Sequence, residues 1–380
     1  MPKHGSEPTA TDLDRRFMQA AFRLSRRHIG QTWPNPAVGA LIVRDDGDGP
    51  VVVGRGWTAQ GGRPHAEVRA LDQAGALAQG ATCYVTLEPC AHVGRTGPCC
   101  DALIEAGVGR VVSPIADPDV RVSGQGHARL SASGIELVMT ADADQARILH
   151  AGHWTRIREG RPWICVKMAI SADGFIGRIG EGNTKISGPE AHRIAHRMRA
   201  DHDAILVGIG TMQADDPQLT CRLDGMADRS PVRVVLDTQA RLSPGARMVE
   251  TLDIAPVWVV VGESAPAKRT ARLAEAGVVV IPAPVDGSGH IELRRVVMLL
   301  GERGLTTVLV EGGAKVARAF VDADLVDEAV LFRSQQIIGA DGVPALDGLH
   351  AGLLMERPYK VIDQQPVGDD LKVHIRRQRN

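Results

Sequence analysis

The chain has 380 residues, more than one hydrophobic core usually fills, so two domains are expected. Its hydrophobic fraction is 44% and its charged fraction 23%, a balance that excludes a disordered or collagen-like chain. A formal net charge of −1 and only five Trp, five Phe and two Tyr argue against nucleic acid or an anionic membrane as partner and in favour of small molecules.

Over residues 12–29, Leu13, Phe17, Ala20 and Leu24 recur at helical spacing, and Thr11 with Asp14 fits a capping box. The runs ALIV and VVVGRGW, separated by DDGDGP, read as a hairpin. Pro64 suits the first turn of a helix that Val68, Leu71, Ala74 and Ala78 carry to Gly80. TCYVTLE then reads as a strand, CDALIEAGV as a helix closed by Gly109, and RVVSPIAD as a further strand. This alternation predicts an α/β layer with a largely parallel sheet. Residues 151–162, AGHWTRIREGRP, break the apolar periodicity, so the expected division is a first domain over 1–150, a linker over 151–162 and a second domain over 163–380. There, strands WICVKMAI, HDAILVG, VRVVLD, VWVVVG, VVVI and TTVLVEGG alternate with helices near 189–199, 268–276 and 291–303. No run reaches the roughly eighteen apolar residues of a membrane span, and residues 1–12 lack a signal peptide's apolar stretch, so the expected location is cytoplasmic.

Four of the six cysteines, Cys83, Cys90, Cys99 and Cys100, crowd into one short stretch. In a reducing compartment thiols read better as metal ligands or core fillers than as disulfides. His65, Cys90 and Cys99 form a donor set suited to tetrahedral Zn²⁺, and three protein ligands leave a fourth position for water, the mark of a catalytic site. Glu67, in His65-Ala66-Glu67, is the natural proton shuttle of an H-x-E deaminase signature. Residues two apart do not share a helix face, so this reading requires His65 to sit in an irregular first turn. Cys99 falls at a predicted helix start, where unpaired amides stabilise a thiolate. Cys100 is the alternative ligand, Cys83 alternates with Val85 and Leu87 as a core residue, and His92 reads as a substrate contact or, failing that, a solvated residue. In the second half, TTVLVEGG followed by AKVARAF is a strand, a glycine turn and a helix start, an arrangement whose free amides receive phosphate.

The stretches PNPAVGALIV, HAEV, TLEPCAHVGRTGPCCDALI, KMAISADG, ADDPQLT and VEGGAKVARAF resemble the bifunctional riboflavin-biosynthesis proteins, a pyrimidine deaminase fused to a pyrimidine reductase. The likeness runs from about residue 12 to 375. It implies a cytidine-deaminase-like three-layer domain followed by a dihydrofolate-reductase-like α/β domain, with Zn²⁺ and NADPH as cofactors. It also implies two reactions: hydrolytic deamination of 2,5-diamino-6-ribosylamino-4(3H)-pyrimidinone 5′-phosphate, then reduction of the ribosyl to a ribityl side chain.

By the same resemblance His65, Cys90 and Cys99 hold zinc, Glu67 is the acid/base and Asn35 contacts substrate. Ala169, Lys185, Thr211, Asp215, Thr238 and the run Gly313, Ala314, Lys315, Val316, Ala317, Arg318, Ala319 match cofactor positions. Asn183, Arg199, Leu219, Arg222 and Glu311 match substrate positions, Arg199 through a fork suited to a ribose phosphate. One stretch departs from the pattern G-E-S-x-W-I-T: it reads GEGNTKISG, with Asn183 in place of Ser and Lys185 in place of Trp. The competing reading is a deaminase of another nucleobase carrying a nucleotide-binding or inactive reductase-like module. The expected partner is a phosphorylated pyrimidine, with no nucleic acid and no membrane, and a homo-oligomer is compatible with it.

Overall fold

The computed structural model describes residues 10–92, 97–119, 123–180, 182, 184–348, 351–356 and 358–378. The chain forms two compact units, Met1–Gly160 and Arg161–Asn380.

The first unit runs α1 (Asp12–Ser25), β1 (Gly39–Arg44), β2 (Val51–Trp57), α2 (Ala66–Ala74), β3 (Thr82–Val85), α3 (Cys99–Glu105), β4 (Arg110–Ser113), α4 (Gln125–Ala132), β5 (Glu136–Met139), α5 (Ala143–Leu149) and α6 (Ala151–Glu159). The strands lie in the order β2-β1-β3-β4-β5. The sheet is mixed rather than largely parallel: β1 is antiparallel to β2 and β3, whereas β3, β4 and β5 run parallel. The short 45–50 connection dictates this, because a tight loop can join only antiparallel neighbours.

The capping box forms: the Asp14 N–H donates to Thr11 Oγ1 and the Thr11 N–H to Asp14 Oδ2. The Asp14 carboxylate, 1% exposed, also accepts two N–H groups of Arg110 and the Tyr84 hydroxyl, tying α1 to β3 and β4.

Glycines set how closely helices approach the sheet. A Cβ at Gly39 would stand 2.1 Å from the Ala21 carbonyl oxygen of α1, and one at Gly56 would stand 1.8 Å from the Ala66 carbonyl oxygen of α2. Gly56 pairs with Ala40, the neighbour of Gly39, so α1 and α2 cover opposite faces and the unit has three layers.

Several boundaries differ from expectation. Pro64 precedes the helix, because His65, with φ −68° and ψ 162°, is the residue that enters α2. Helix α2 ends at Ala74, where Gly75 turns to φ 53°, and Gly107 (φ 67°), not Gly109, follows the end of α3. The expected linker over 151–162 is mostly α6, which buries only small residues, Gly152 and Thr155, and so shows no apolar period. The units divide after it, at Gly160.

The second unit runs β6 (Trp163–Ile170), β7 (Phe175–Arg178), α7 (Pro189–Ala200), β8 (Ala204–Gly208), α8 (Ile209–Asp215), β9 (Val232–Leu236), α9 (Arg247–Glu250), β10 (Val257–Gly262), α10 (Ala267–Glu275), β11 (Val279–Ala283), α11 (Leu293–Glu302), β12 (Thr307–Val310), α12 (Ala314–Asp322), β13 (Glu328–Arg333), β14 (Gly342–Pro344), β15 (Tyr359–Val367) and β16 (Asp370–Arg377). Its main sheet has the order β11-β10-β9-β8-β12-β6-β13-β16-β15, parallel as far as β13 and closed by the antiparallel β13-β16-β15. This is the expected dihydrofolate-reductase-like arrangement of a parallel sheet with an antiparallel C-terminal hairpin. Strands β8 and β10 are buried along their whole length, as the continuous apolar runs AILVG and VWVVVG require of a sheet covered on both faces. Among the described residues no helix is long and apolar enough to cross a membrane.

The Gly56 contact is testable. Gly56→Ala should force α2 off the sheet, lower stability by about 1–3 kcal/mol in a denaturant melt, as overpacking does, and reduce the zinc content of the purified protein, because α2 starts directly after His65 and carries Glu67.

Candidate active sites

In the first unit, α2 begins immediately after His65. This frees His65 from the helical array and lets its ring turn toward Cys90 and Cys99 while Glu67 occupies the first turn. The requirement for an irregular start is thereby met. His65 Nδ1 lies 3.2 Å from Cys99 Sγ and 3.7 Å from Cys90 Sγ. One ligand atom from each of the three residues falls within 4.8 Å of the others, and among the described residues no further group of this kind occurs. Soft thiolates with one imidazole at this spacing fit Zn²⁺.

The Cys99 N–H donates to Cys90 Sγ at 3.3 Å, so the first amide of α3 faces the site. Hydrogen bonding from Cys99 and from His65 holds Cys90 down at about 4, favouring its thiolate against burial. Cys100 is not a ligand in this geometry: its thiol donates to the Pro89 carbonyl at 3.2 Å. Cys83 is a core residue, and His92 is exposed. Asn35 donates through Nδ2 to the Gly62 carbonyl at 2.8 Å, which ties its loop to the turn leading into His65.

Glu67 is buried, and burial raises its pKa above the ordinary carboxylate value. A carboxyl raised in this way is better suited than an ordinary one to take up a proton and pass it on.

Glu88 was not singled out by the sequence reading, yet it carries the loop that presents Cys90. Its Oε2 accepts the N–H groups of Asp117 and Gly124, and its Oε1 those of Gly126 and His127. All four bonds are 2.8–3.1 Å long. One buried carboxylate thus organises the entry to α4 against Pro89 and Cys90, and the signal for it is an acidic residue ending an apolar strand.

In the second unit, Arg199 on α7 and Glu311 after β12 form a two-pronged ion pair, Nε to Oε1 at 3.0 Å and Nη2 to Oε2 at 2.8 Å. Arg199 Nη1 also donates to the Thr220 carbonyl at 3.2 Å. The fork expected to grip a phosphate is therefore filled mainly by a carboxylate, leaving one N–H on each terminal nitrogen for a ligand. The Arg222 N–H donates to His196 Nδ1 at 3.2 Å. Leu219 is 3% exposed and packs in the core, so what it offers a substrate is backbone.

Three neighbours of this pair escaped the sequence reading. Lys167 on β6 is depressed by burial and pulled the other way by Glu311. His196 is held at about 4 by burial together with Arg199 and Arg222, and His192 is lowered likewise. His192, His196 and Arg199 share one face of α7 at i, i+4 and i+7, and a lysine inside a buried strand is itself a signal.

The turn before α12 fits the phosphate end of a dinucleotide. A Cβ at Gly312 would meet Val316 at 2.7 Å, and one at Gly313 would lie 3.6 Å from Thr211 Oγ1. The N–H groups of Gly313, Ala314 and Lys315 have no acceptor among the described residues, whereas those of Val316 and Ala317 donate to the Gly313 carbonyl. The receptive amides are thus the first three of the run. Ala317 is buried, and Arg318 is paired with Asp322. Thr238 accepts the Gly262 N–H through its carbonyl, Asp215 closes α8, Ala169 is half-buried in β6, and Lys185 is exposed. Asn183 lies outside the described residues.

The fold and the two sites define a zinc deaminase joined to a reductase. Residues 11–114 match the family model described as the cytidine and deoxycytidylate deaminase zinc-binding region, and residues 162–356 match the RibD C-terminal domain. The riboflavin biosynthesis protein RibD of Escherichia coli is 37% identical over 376 residues, 95% of this chain and 99% of that protein. The RibD of Aquifex aeolicus is 34% identical, over 96% and 99% of the two chains. Among solved structures, Acinetobacter baumannii RibD superposes with a TM-score of 0.83 at 33% identity, over 96% of this chain and 99% of that one. The Thermotoga maritima diaminohydroxyphosphoribosylaminopyrimidine deaminase/5-amino-6-(5-phosphoribosylamino)uracil reductase does so with 0.81 at 33% identity, over the same shares. The chain belongs to the riboflavin biosynthesis protein RibD family. It is a deaminase and a reductase, and its deaminase part matches a zinc-binding region at which His65, Cys90 and Cys99 converge.

Two predictions follow from the geometry. Glu88→Gln replaces one acceptor oxygen with an amino group facing two N–H donors, so zinc affinity should fall about tenfold in a chelator competition, as loss of an outer support does. Glu311 is held at about 2, because Arg199 and Lys167 together outweigh the burial that would raise it. A folded pKa below the ordinary 4.5 means a stabilisation complete above that pH and lost as pH falls toward 2. Glu311→Gln should accordingly flatten the acid limb of the stability curve between about pH 5 and 2, measured by denaturant melts at stepped pH.

Proposed function

We propose that His65, Cys90 and Cys99 hold the zinc of the deaminase, that Glu67 moves its protons, and that Arg199, Leu219, Arg222 and Glu311 hold the pyrimidine in the reductase. The observation that carries this reading is the convergence of the three zinc-type ligands from three separate segments next to a buried Glu67. Held by these three residues, Zn²⁺ would supply the acidity that lets a water attack the amino-bearing ring carbon near neutral pH. Glu67 accepts the proton of that water and passes it to the leaving nitrogen, so that ammonia departs neutral. Asn35, at the turn before His65, orients the ring.

The substrate of the first reaction is 2,5-diamino-6-ribosylamino-4(3H)-pyrimidinone 5′-phosphate. For the second reaction NADPH, when bound, would supply the hydride that reduces C1′ of the ribosyl group. Gly313, Ala314 and Lys315 would receive the cofactor's phosphates on their open amides, with Thr211 alongside and the rest of the run to Ala319 as the frame. Ala169, Lys185, Asp215 and Thr238 line the remainder of the cofactor, and Asn183 joins the substrate contacts. The spare N–H groups of Arg199 face the ribosyl phosphate, and Glu311 fixes their direction. The chain divides into a deaminase domain and a reductase domain that work in succession. It is a cytoplasmic enzyme acting on small molecules rather than nucleic acid, and a homo-oligomer is compatible with this reading.

Glu67→Gln should retain zinc by elemental analysis and lower ammonia release about a thousandfold, while NADPH oxidation with the deaminated pyrimidine continues at the wild-type rate. Loss of zinc from that variant would make Glu67 structural and overturn its assignment.

A further inference from the structure

A fully buried arginine stands in the second unit with no role in the chemistry described so far. Arg233, on β9, is 0% exposed, and among the described residues no carboxylate forms an ion pair with it, Asp253 acting on it only from beyond contact. Its acceptors are neutral: Nη1 donates to the Gln218 carbonyl at 3.2 Å and to Thr251 Oγ1 at 2.8 Å, and Nη2 donates to the Thr251 carbonyl at 2.8 Å and to the Ala255 carbonyl. Burying a guanidinium without a counter-ion is costly, and an apolar side chain of similar size would fill the space as well. Thr251 and Ala255 belong to one turn, so holding that turn needs only part of the fork. The remaining bond crosses to the loop 216–222.

That loop has no regular secondary structure, and it contains two residues in the left-handed region, Asp216 at φ 40° and Leu219 at φ 57°. A leucine there is strained and persists only where surrounding contacts impose it. The contacts are specific: Arg233 takes the carbonyl of Gln218, Arg199 that of Thr220, Ser230 Oγ accepts the Cys221 N–H, and His196 Nδ1 accepts the Arg222 N–H. The N–H of Leu219 has no acceptor among the described residues. In a trans peptide the carbonyl of Gln218 and the N–H of Leu219 point in opposite directions.

We propose that Arg233 is a positioning residue of the reductase: by holding the Gln218 carbonyl inward it turns the Leu219 N–H outward, as the donor that meets the pyrimidine substrate. This rests on the reading of Leu219 and Arg222 as substrate contacts. A peptide free to rotate would present its carbonyl instead, an acceptor in place of a donor, and the substrate would lose a hydrogen bond while the cofactor turn before α12 remained unchanged.

The test uses the full chain with Arg233→Lys, whose single ammonium cannot reach both Gln218 and the 251–255 turn, and Arg233→Met, which fills the space without donors. Both should raise the KM for the deaminated pyrimidine about tenfold, with kcat within about threefold and NADPH affinity unchanged, the signature of lost substrate binding. Amide hydrogen exchange over 216–222 should quicken in both. Arg222→Ala serves as the control on the reading of the loop. Unchanged exchange in both Arg233 variants overturns the proposal. So does faster exchange with unchanged KM while Arg222→Ala raises KM. If neither Arg233 nor Arg222 variants move KM, the loop does not meet substrate, and both the reading and the proposal fall. Parallel loss of NADPH binding in both variants would make Arg233 a general core residue and also overturn it.

Discussion

The approach of α2 to the sheet at Gly56 is the constraint on which the deaminase site depends. With hydrogen in place of a side chain, the Ala66 carbonyl comes to a distance that any Cβ would forbid. That contact fixes the start of α2, and the start of α2 fixes His65 just outside the helix and Glu67 just inside it. Residues two apart on a regular helix diverge, so the break in helical geometry at His65 is what lets ligand and carboxyl share one site. On the opposite wall, Glu88 gathers four backbone amides and holds the Pro89–Cys90 turn. The donor set is therefore supported from both sides by backbone contacts rather than by side-chain packing alone, which suits a metal whose affinity depends on small displacements of its ligands.

The second unit solves a different problem. Its cations Arg199 and Lys167, largely covered by the fold, stand beside the carboxylate of Glu311. A lone guanidinium in that position would be costly to bury. Pairing it with Glu311 through two of its nitrogens fixes its plane and leaves donors pointing in defined directions. The neighbouring histidines, His192 and His196, are depressed by burial and by nearby cations, so they add hydrogen-bonding capacity without further charge. The start of α12 offers a different device, open amides where glycine lets the backbone come close, an arrangement suited to phosphate.

Much of this was legible in the residues alone. His65, Glu67, Cys90 and Cys99 could be read as a catalytic zinc set because ligand chemistry admits few alternatives, and the apolar runs of β6, β8, β9, β10 and β12 are what a doubly covered parallel sheet demands. The misreadings have physical causes. Helix α6 escaped because its fully buried residues are the small Gly152 and Thr155 and only Trp154 adds a large apolar side chain against the core, which makes no apolar stripe. The C-terminal hairpin of β15 and β16 escaped because β15 is largely exposed and polar, so no hydrophobic alternation marks it. In the α12 run, sequence identifies a glycine turn before a helix but not which amides stay open, since the first turn itself uses those of Val316 and Ala317.

The sequence by itself determined the chemistry of each unit: soft ligands and a carboxyl in one, a glycine turn and cationic side chains in the other. These follow from residue type and short spacing, which local geometry controls. Only the tertiary structure decided that Cys99 and not Cys100 faces His65, that Arg199 is held by Glu311, and that Arg233 reaches Gln218. Each of those choices turns on which side of a helix or strand meets another segment far away in the chain, and packing, not local propensity, sets that.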